Sequence, residues 1–245
     1  FSCAALPQLA TAQVDFTGGY SQDFDTLANS GTAATALPPG WAIAKGTPLA
    51  SGTYAAGNGS SLSGNVYSLG SGTASDRALG SLAADALGAV GNPIARFGVA
   101  LVNRTGATSS SLSISYAAEQ WSLGATGRDD KLSFQYSLNA SSLLDSEATW
   151  LDAPALDHLA PVRTGPLGAL DGNLAANRTQ ISGAIEGFAW LPDQTIWIRW
   201  TDVNVSGNDD TLGIDDLVIG TLADVPPVLL STTPVNNATN VSVSQ

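Results

Sequence analysis

The side chains with the clearest chemistry are oxygen donors grouped near residue 210. Asp202 and Asn204 precede the run Asn208-Asp209-Asp210, and Asp215 follows within an apolar segment. Calcium prefers roughly six to eight oxygen ligands from carboxylates, amides and carbonyls. The residue types and their spacing therefore predict a calcium site, to which the loop before the apolar segment contributes ligands.

Asp215 is the most informative of these acids. The alternation of residues 212–219 predicts a strand with Asp215 on the same inward face as Leu217. A carboxylate on an inward face must be paired, hydrogen-bonded or bound to a metal. The sequence leaves two interpretations open: Asp215 binds calcium, or Asp215 and Asp216 cap turns or form an ion pair with Arg199.

Residues that could perform catalysis are few. His158 is the only histidine, and we expect it in a loop, because adjacent strand residues such as Asp157 and His158 point to opposite faces. A glycosidase would need two carboxylates that flank a cleft. Glu119, two residues before Trp121, is one candidate, and its strand lacks a second acid at an alternate position. The sequence therefore predicts a chain without enzyme activity, with a glycosidase as the alternative.

The elements that must position these residues are strands. The chain has 245 residues, of which 44% are hydrophobic and only 12% are charged. Most of the acids are Asp, which favours turns over helical surfaces. Apolar and polar residues alternate with the period of a strand in several segments separated by Gly, Asn and Asp clusters. The clearest strand segments are 97–102, 112–116, 132–138, 195–200 and 212–219.

This pattern predicts an all-β fold, a jelly-roll-like antiparallel β-sandwich over residues 14–221. Residues 79–90 have apolar positions at helical spacing and two glycines, which indicates a short helix or a loop. Most of the six Trp and five Tyr residues lie at alternating strand positions, which favours core packing over exposed sugar platforms. Trp41, which follows the Pro38-Pro39-Gly40 turn, is the candidate for an exposed ring.

Charge and composition exclude some classes of function. The net charge is −12, so a phosphate backbone would be repelled, and we expect no nucleic-acid partner. No run of about 18 apolar residues occurs, so the sequence predicts no transmembrane segment. Cys3 is the only cysteine, which excludes an internal disulfide.

Three motifs in a fixed order resemble a known group of modules. Asp23-Phe24-Asp25 and residues 37–41 open the body, residues 128–137 form a middle strand, and residues 212–217 close it. This order resembles the jelly-roll modules of bacterial secreted proteins, among them cleaved-adhesin and MAM domains. It is also similar to the module that precedes the catalytic domain of some extracellular nucleases.

The resemblance implies a metal site and a setting. In such modules the first and last strands are neighbours, and acids from both hold a structural calcium. This implies that Asp23 or Asp25 joins Asp202, Asp210 and Asp215 as metal ligands. It further implies a non-catalytic, calcium-stabilised module of a secreted or cell-surface bacterial protein that serves adhesion, glycan contact or extracellular assembly. The alternative is an accessory N-terminal module of a secreted hydrolase such as an extracellular nuclease.

The ends of the chain are assigned separately from the body. Residues 1–13 are expected to be an extension, and residues 222–245 a linker followed by a segment that resembles the first strands of a bacterial immunoglobulin-like repeat. This segment could belong to a further domain, pack on its own sandwich, or be donated as a strand to another copy. Donation would produce self-association into a filament. The residues that match the repeat are Pro234, Ala238, Thr239 and Val241.

Overall fold

The computed structural model describes residues 13–72 and 74–222, and within these residues it contains strands and two short 3₁₀ turns but no α-helix. The first eight strands are β1 (Val14–Phe16), β2 (Gly19–Gln22), β3 (Trp41–Lys45), β4 (Ala50–Ser51), β5 (Ala55–Gly57), β6 (Asn65–Leu69), β7 (Ala78–Leu82) and β8 (Pro93–Asn103). The remaining strands are β9 (Ser109–Leu123), β10 (Lys131–Ser137), β11 (Leu151–Asp152), β12 (His158–Leu159), β13 (Gly168–Ala169), β14 (Arg178–Trp190), β15 (Thr195–Val203) and β16 (Thr211–Gly220).

The strands form two sheets that pack as a jelly-roll-like sandwich. Sheet A has the order β11-β10-β15-β8-β3-β4, with β1 beside β8 and β12 beside β10. Sheet B has the order β13-β9-β16-β7-β6-β5, with β14 beside β9 and β2 beside β16. Most neighbouring strands are antiparallel; β1 with β8 and β5 with β6 are parallel. The all-β prediction is confirmed, and the opening strand β2 lies next to the closing strand β16.

The core lies between the inner faces of the two sheets and is rich in aromatic rings. Trp200 is fully buried at its centre, with the rings of Phe134, Tyr116 and Phe97 at centroid distances of 5.3, 5.4 and 6.1 Å. The predicted alternation of residues 195–200 is confirmed, because its even-numbered residues join this core and Trp197 lies on the opposite face. Burial of such rings supplies most of the driving force for folding.

Two local expectations are wrong. Trp41 is buried, not exposed: Gly40 adopts a φ of 78°, and the chain then enters β3 with the indole facing the core. The indole N–H of Trp41 donates a hydrogen bond to the Tyr20 hydroxyl at 2.7 Å. The second expectation is wrong only for residues 79–82, because β7 is buried on both faces between β6 and β16 and apolar residues then occur without alternation. Residues 83–90 form a loop, one of the two predicted alternatives.

The outer faces of both sheets are also partly covered. Trp121 packs on the outer face of sheet B, and Trp197 packs on the outer face of sheet A. No helix in the described part of the chain is long and apolar enough to cross a membrane. The expectations for residues 1–12 and for residues 223–245, including strand donation, lie outside the described residues.

Candidate functional site

The structure divides the five predicted calcium ligands between two places. Asp202 and Asp210 belong to a buried group of acids at the end of β15 and the start of β16. Asp215 lies further along β16, on the outer face of sheet B. Asp23 and Asp25 are exposed in the turn that follows β2. The Asp25 carboxylate accepts the backbone N–H of Arg77 at 3.1 Å and interacts electrostatically with Asp23.

The first group, here called the loop cluster, consists of Asp130, Asp202, Asp209 and Asp210. All four side chains are buried. Asp130 accepts the backbone N–H of Asp210 at 2.7 Å and pairs with the guanidinium of Arg128 at 3.1 Å. Four buried carboxyls thus share one arginine among their described ion pairs, so the loop cluster is short of positive charge.

The pKa values of the loop cluster reflect this shortage. Burial raises the pKa of Asp209 and of Asp210 to about 6. The pKa of Asp202 lies well above its ordinary value, first because of burial and then because of the nearby Asp130 carboxylate. Asp202 accepts the hydroxyl of Ser81 at 2.7 Å, which offsets only part of this cost. These carboxyls would bind either protons or a cation.

Two oxygen atoms beside the loop cluster have no hydrogen-bond partner. They are Oδ1 of Asn204 and Oδ2 of Asp209, and both are buried. The orientation of the Asn204 amide is fixed by its nitrogen, since Nδ2 donates a hydrogen bond to the Asp85 carboxylate at 2.9 Å. Orphaned buried oxygens fit a hard cation such as calcium. Within the described residues, however, no three His, Cys, Asp or Glu side chains form a group that could hold a metal ion.

Asp215 does not share a face with Leu217, so this prediction is wrong. The register between β16 and β9 shifts between Asp215 and Val218, and Asp216 adopts a φ of 51°. This bulge adds one residue to the strand and reverses its alternation. Ile214 and Leu217 therefore both face the core, whereas Asp215 points to the outer face of sheet B.

The outer position brings Asp215 close to Glu119. Glu119 in β9 lies opposite Gly213 in β16, and Asp215 is two residues further along β16 on the same face. The two acids are therefore diagonal neighbours. Burial raises the pKa of Glu119 to about 7 and that of Asp215 to about 8. The indole of Trp121 donates to Glu119 at 3.0 Å, and Arg178 lies 3.9 Å from the second oxygen of Glu119.

This carboxyl pair could not have been found from spacing in one strand, because its second acid comes from β16. Two carboxyls of this kind are the parts of an acid–base pair. Glu119 is nevertheless fully buried, and Trp121 lies against it. A substrate in solution therefore does not reach Glu119 in this structure.

His158 also lacks a catalytic arrangement. It lies in β12 opposite Leu132 and is fully buried, so its expected loop position is wrong. Both ring nitrogens are buried without a hydrogen-bond partner, and burial lowers the pKa of His158 to about 3. Asp157 instead accepts the backbone N–H of Phe134 at 2.8 Å and pairs with Lys131 at 2.6 Å.

A surface cleft of about 450 Å³ opens where the ends of β7 and β9 meet, next to the loop cluster. Leu62 and Leu167 form apolar parts of its wall and are 86% and 61% exposed. Gly59 allows the wall to approach the sheet, because a Cβ there would lie 1.7 Å from the Trp121 carbonyl oxygen. The cleft is lined by residues 59–62, 82–85, 122–124, 167–169 and 207–209.

The polar part of the cleft consists of hydroxyls, an amide and carboxylates. Ser60 and Ser61 contribute hydroxyls and Asp85 contributes an exposed carboxyl group, whereas Ser122 and Asp209 line the cleft as buried residues. Asn208 is exposed at the same place. No Lys, Arg or His belongs to the described residues that line it. This cleft could not be predicted from the sequence, because its walls come from five separate segments with no shared motif.

Comparisons with known proteins give only distant similarities. No protein-family model and no curated protein matches the sequence. A solved CBM4 structure is 15% identical, with 75% of this chain and 95% of that chain covered and a TM-score of 0.38. The CBM22-1 xylan-binding domain from Paenibacillus barcinonensis Xyn10C is 11% identical, with 82% and 92% covered and a TM-score of 0.36. The Clostridium thermocellum xylanase 10B CBM22-1 and GH10 modules, with xylohexaose, are 11% identical, with 87% and 28% covered and a TM-score of 0.33.

Proposed function

We propose that this chain is a non-catalytic β-sandwich module that contacts neutral carbohydrate through the cleft beside the loop cluster. The observation that carries the proposal is the chemistry of the cleft lining. Its volume of about 450 Å³ lies within the range of roughly 300–1,000 Å³ that is usual for small-molecule sites. Its serine hydroxyls, amide and carboxylates suit a ligand with many hydroxyl groups.

The apolar and charged residues narrow the ligand class. Leu62 and Leu167 offer aliphatic surface to the C–H faces of a sugar ring. The exposed carboxylate of Asp85 accepts hydrogen bonds from hydroxyl groups, and the negative charge of Asp85 and Asp209 repels phosphates and other anions. A neutral polysaccharide combines the hydroxyls, the apolar faces and the absence of charge that this lining matches. The burial of Glu119 is the reason to propose binding without hydrolysis.

Binding is tested by affinity electrophoresis in gels that contain xylan or dextran. The double variant Leu62→Ala/Leu167→Ala should lose at least about tenfold in affinity, since a leucine that the ligand fully covers contributes roughly 1.5–3 kcal/mol. Leu191→Ala is the matched control, because Leu191 is 52% exposed and lies outside the cleft. If neither polysaccharide retards the chain, or if Leu62→Ala/Leu167→Ala binds as tightly as Leu191→Ala, the proposal is wrong.

The same proposal places the module in an extracellular or cell-surface protein and includes a structural calcium. The oxygens that favour calcium are those of Asp202, Asn204 and Asp209 in the loop cluster region, rather than those of Asp23, Asp25 or Asp215. A cation there would neutralise buried carboxylates and satisfy the orphaned Oδ1 of Asn204. The resemblance to MAM and nuclease-associated modules stays a prediction.

Calcium binding is tested by thermal unfolding at pH 8 with calcium, with magnesium and with EDTA. A ligand that binds only the folded state stabilises it by about 2.7 kcal/mol at a hundredfold excess over Kd. Calcium should raise the Tm of the wild type and of Asp23→Asn, but not that of Asp209→Asn. Equal melting temperatures in calcium and EDTA would rule out the metal.

A further inference from the structure

The outer face of sheet A carries two arginines side by side. Arg199 in β15 lies opposite Gly98 in β8, and Arg96 is two residues from Gly98 on the same face. The two arginines are therefore diagonal neighbours, which long side chains easily bridge. Phe97 and Trp200 occupy the other face and belong to the core, so both guanidinium groups point away from it.

Arg199 is held in place by neutral partners only. Its Nε–H donates to the Gln135 side-chain oxygen at 2.9 Å, and a terminal nitrogen donates to the Leu143 carbonyl at 3.0 Å. The guanidinium carbon lies 3.4 Å from the centre of the Trp150 ring. These contacts fix the position of the charge but do not neutralise it. Arg199 forms no ion pair with a described residue.

The side chain of Arg96 forms no hydrogen bond or ion pair with residues 13–72 and 74–222, and its Nε is buried and unsatisfied. Every other Lys and Arg of the chain forms an ion pair or a hydrogen bond. Beside Arg96 in register lie Thr201 of β15 and the small Ala44 of β3.

No carboxylate neutralises the two arginines within the described part of the chain. Burial and repulsion by Arg96 lower the pKa of Arg199 to about 9, and burial also lowers the pKa of Arg96. Asp152 is the acid that interacts with Arg199, and its carboxylate already accepts the Gln135 amide at 2.8 Å. A chain with 21 acids and net charge −12 thus places two arginines together without a carboxylate contact.

We propose that the partly exposed Arg96, beside the buried charge of Arg199, binds a carboxylate or sulfate group carried by an acidic polysaccharide, an inference that rests on the proposed carbohydrate contact. Guanidinium groups match these planar or tetrahedral anions with paired N–H donors. Ser133, which is partly exposed, lies in the same row of the face as Arg96 and offers its hydroxyl to a neighbouring sugar hydroxyl. The partly exposed indole of Trp150 borders the site. The protein would thus contact carbohydrate at two separate places: an acidic group at Arg96 and neutral sugar in the cleft.

The test compares matched polysaccharides that differ only in charge. Polygalacturonate is paired with its methyl ester, and dextran sulfate with dextran, in chloride buffer by isothermal titration. Arg96→Gln should weaken binding of an acidic member by roughly tenfold, as loss of a charge-assisted hydrogen bond does. Arg104→Gln removes the same charge from an exposed arginine paired with Asp15 and Asp193, and it should change affinity by less than about twofold.

The outcomes separate this inference from the proposed function. Preference for polygalacturonate or for dextran sulfate identifies carboxylate or sulfate as the group bound. Equal affinities of Arg96→Gln and Arg104→Gln for both acidic polymers overturn the arginine site. This result leaves the proposed function intact if Leu62→Ala/Leu167→Ala still loses affinity for dextran. Arg96→Lys provides a second variant that keeps the charge but loses the paired donors, and it should bind more weakly than the wild type. Absence of binding to all four polymers overturns this inference, whereas the proposed function fails only if xylan is not bound either.

Discussion

The outer faces of the two sheets bury opposite charges and respond to burial in different ways. On sheet B, Glu119 and Asp215 lie together with pKa values raised to about 7 and about 8. On sheet A, Arg96 and Arg199 lie together, and even the lowered pKa of Arg199 is about 9. Near neutral pH the carboxyls can bind protons and become neutral, whereas the arginines remain charged. The first face is therefore sensitive to pH, whereas the second keeps its positive charge.

The largest expected effect is a loss of stability as the pH rises from about 5 to about 8. Unfolded carboxyls release protons near pKa values of about 4, whereas Glu119 and Asp215 keep theirs to about 7 and about 8. In this window the unfolded state binds fewer protons, so raising the pH favours unfolding. Each unit of pKa difference corresponds to about 1.4 kcal/mol, which predicts a fall of several kcal/mol.

Urea unfolding at pH 5 and pH 8 measures this fall, and Glu119→Gln/Asp215→Asn should remove much of it. The variant carboxamides stay neutral and can still accept the Trp121 indole N–H. Asp23→Asn changes an exposed acid and serves as the control. A wild type that is more stable at pH 8 than at pH 5 in EDTA would contradict the description of this face.

On sheet A, the two arginines should differ in their contribution to folding. Arg199→Gln loses hydrogen bonds to Gln135 and to the Leu143 carbonyl, which should lower the free energy of unfolding by about 2–3 kcal/mol. Arg96→Gln loses no hydrogen bond or ion pair and relieves repulsion, so in the absence of acidic ligands its stability should equal or exceed that of the wild type. Chemical denaturation of both variants in chloride buffer measures the difference. Equal destabilisation by the two changes would mean that Arg96 has a structural partner.

The stacked ring gives a smaller effect. Trp150→Ala removes the ring beneath the Arg199 guanidinium, and a cation–π contact of this kind contributes about 1–2 kcal/mol when it is partly shielded from water. Trp150→Phe keeps a ring face and should recover about half of the loss. Thermal unfolding of the wild type and of the two variants measures these differences in stability. A Phe variant no more stable than the Ala variant would show that the ring does not interact with the arginine.

The smallest effect is expected for the ion pair on sheet B. Arg178 lies 3.9 Å from Glu119 and 3.6 Å from Asp216, and its side chain is one-third exposed. Arg178→Gln should therefore cost below about 1 kcal/mol. It should also raise the pKa of Glu119 further, which carboxyl chemical shifts in an NMR titration would report. Arg163→Gln, which breaks an exposed pair with Asp129, should leave that pKa unchanged.

The fold followed from local pattern, whereas the sites depended on strand pairing. Alternation in residues 195–200 predicted a strand with one buried face, and in the structure Arg199 lies on its other face because such a strand has a period of two. The position of Arg96 beside it depends on the register of β8 against β15, which alternation within one strand does not determine. The face of Asp215 was mispredicted for a related reason, since a bulge breaks the period without a Gly or Pro to mark it.

The bulge in β16 is equivalent to the insertion of one residue into a regular strand. Removal of Asp216 would restore strict alternation and leave Ile214, Leu217 and the outward carboxyl of Asp215 on their present faces. An evolving strand can therefore gain or lose an exposed acid here by a single-codon insertion or deletion, with no substitution in the core. Alignments of this strand with relatives should place a one-residue gap at this position, where the core residues themselves continue to match.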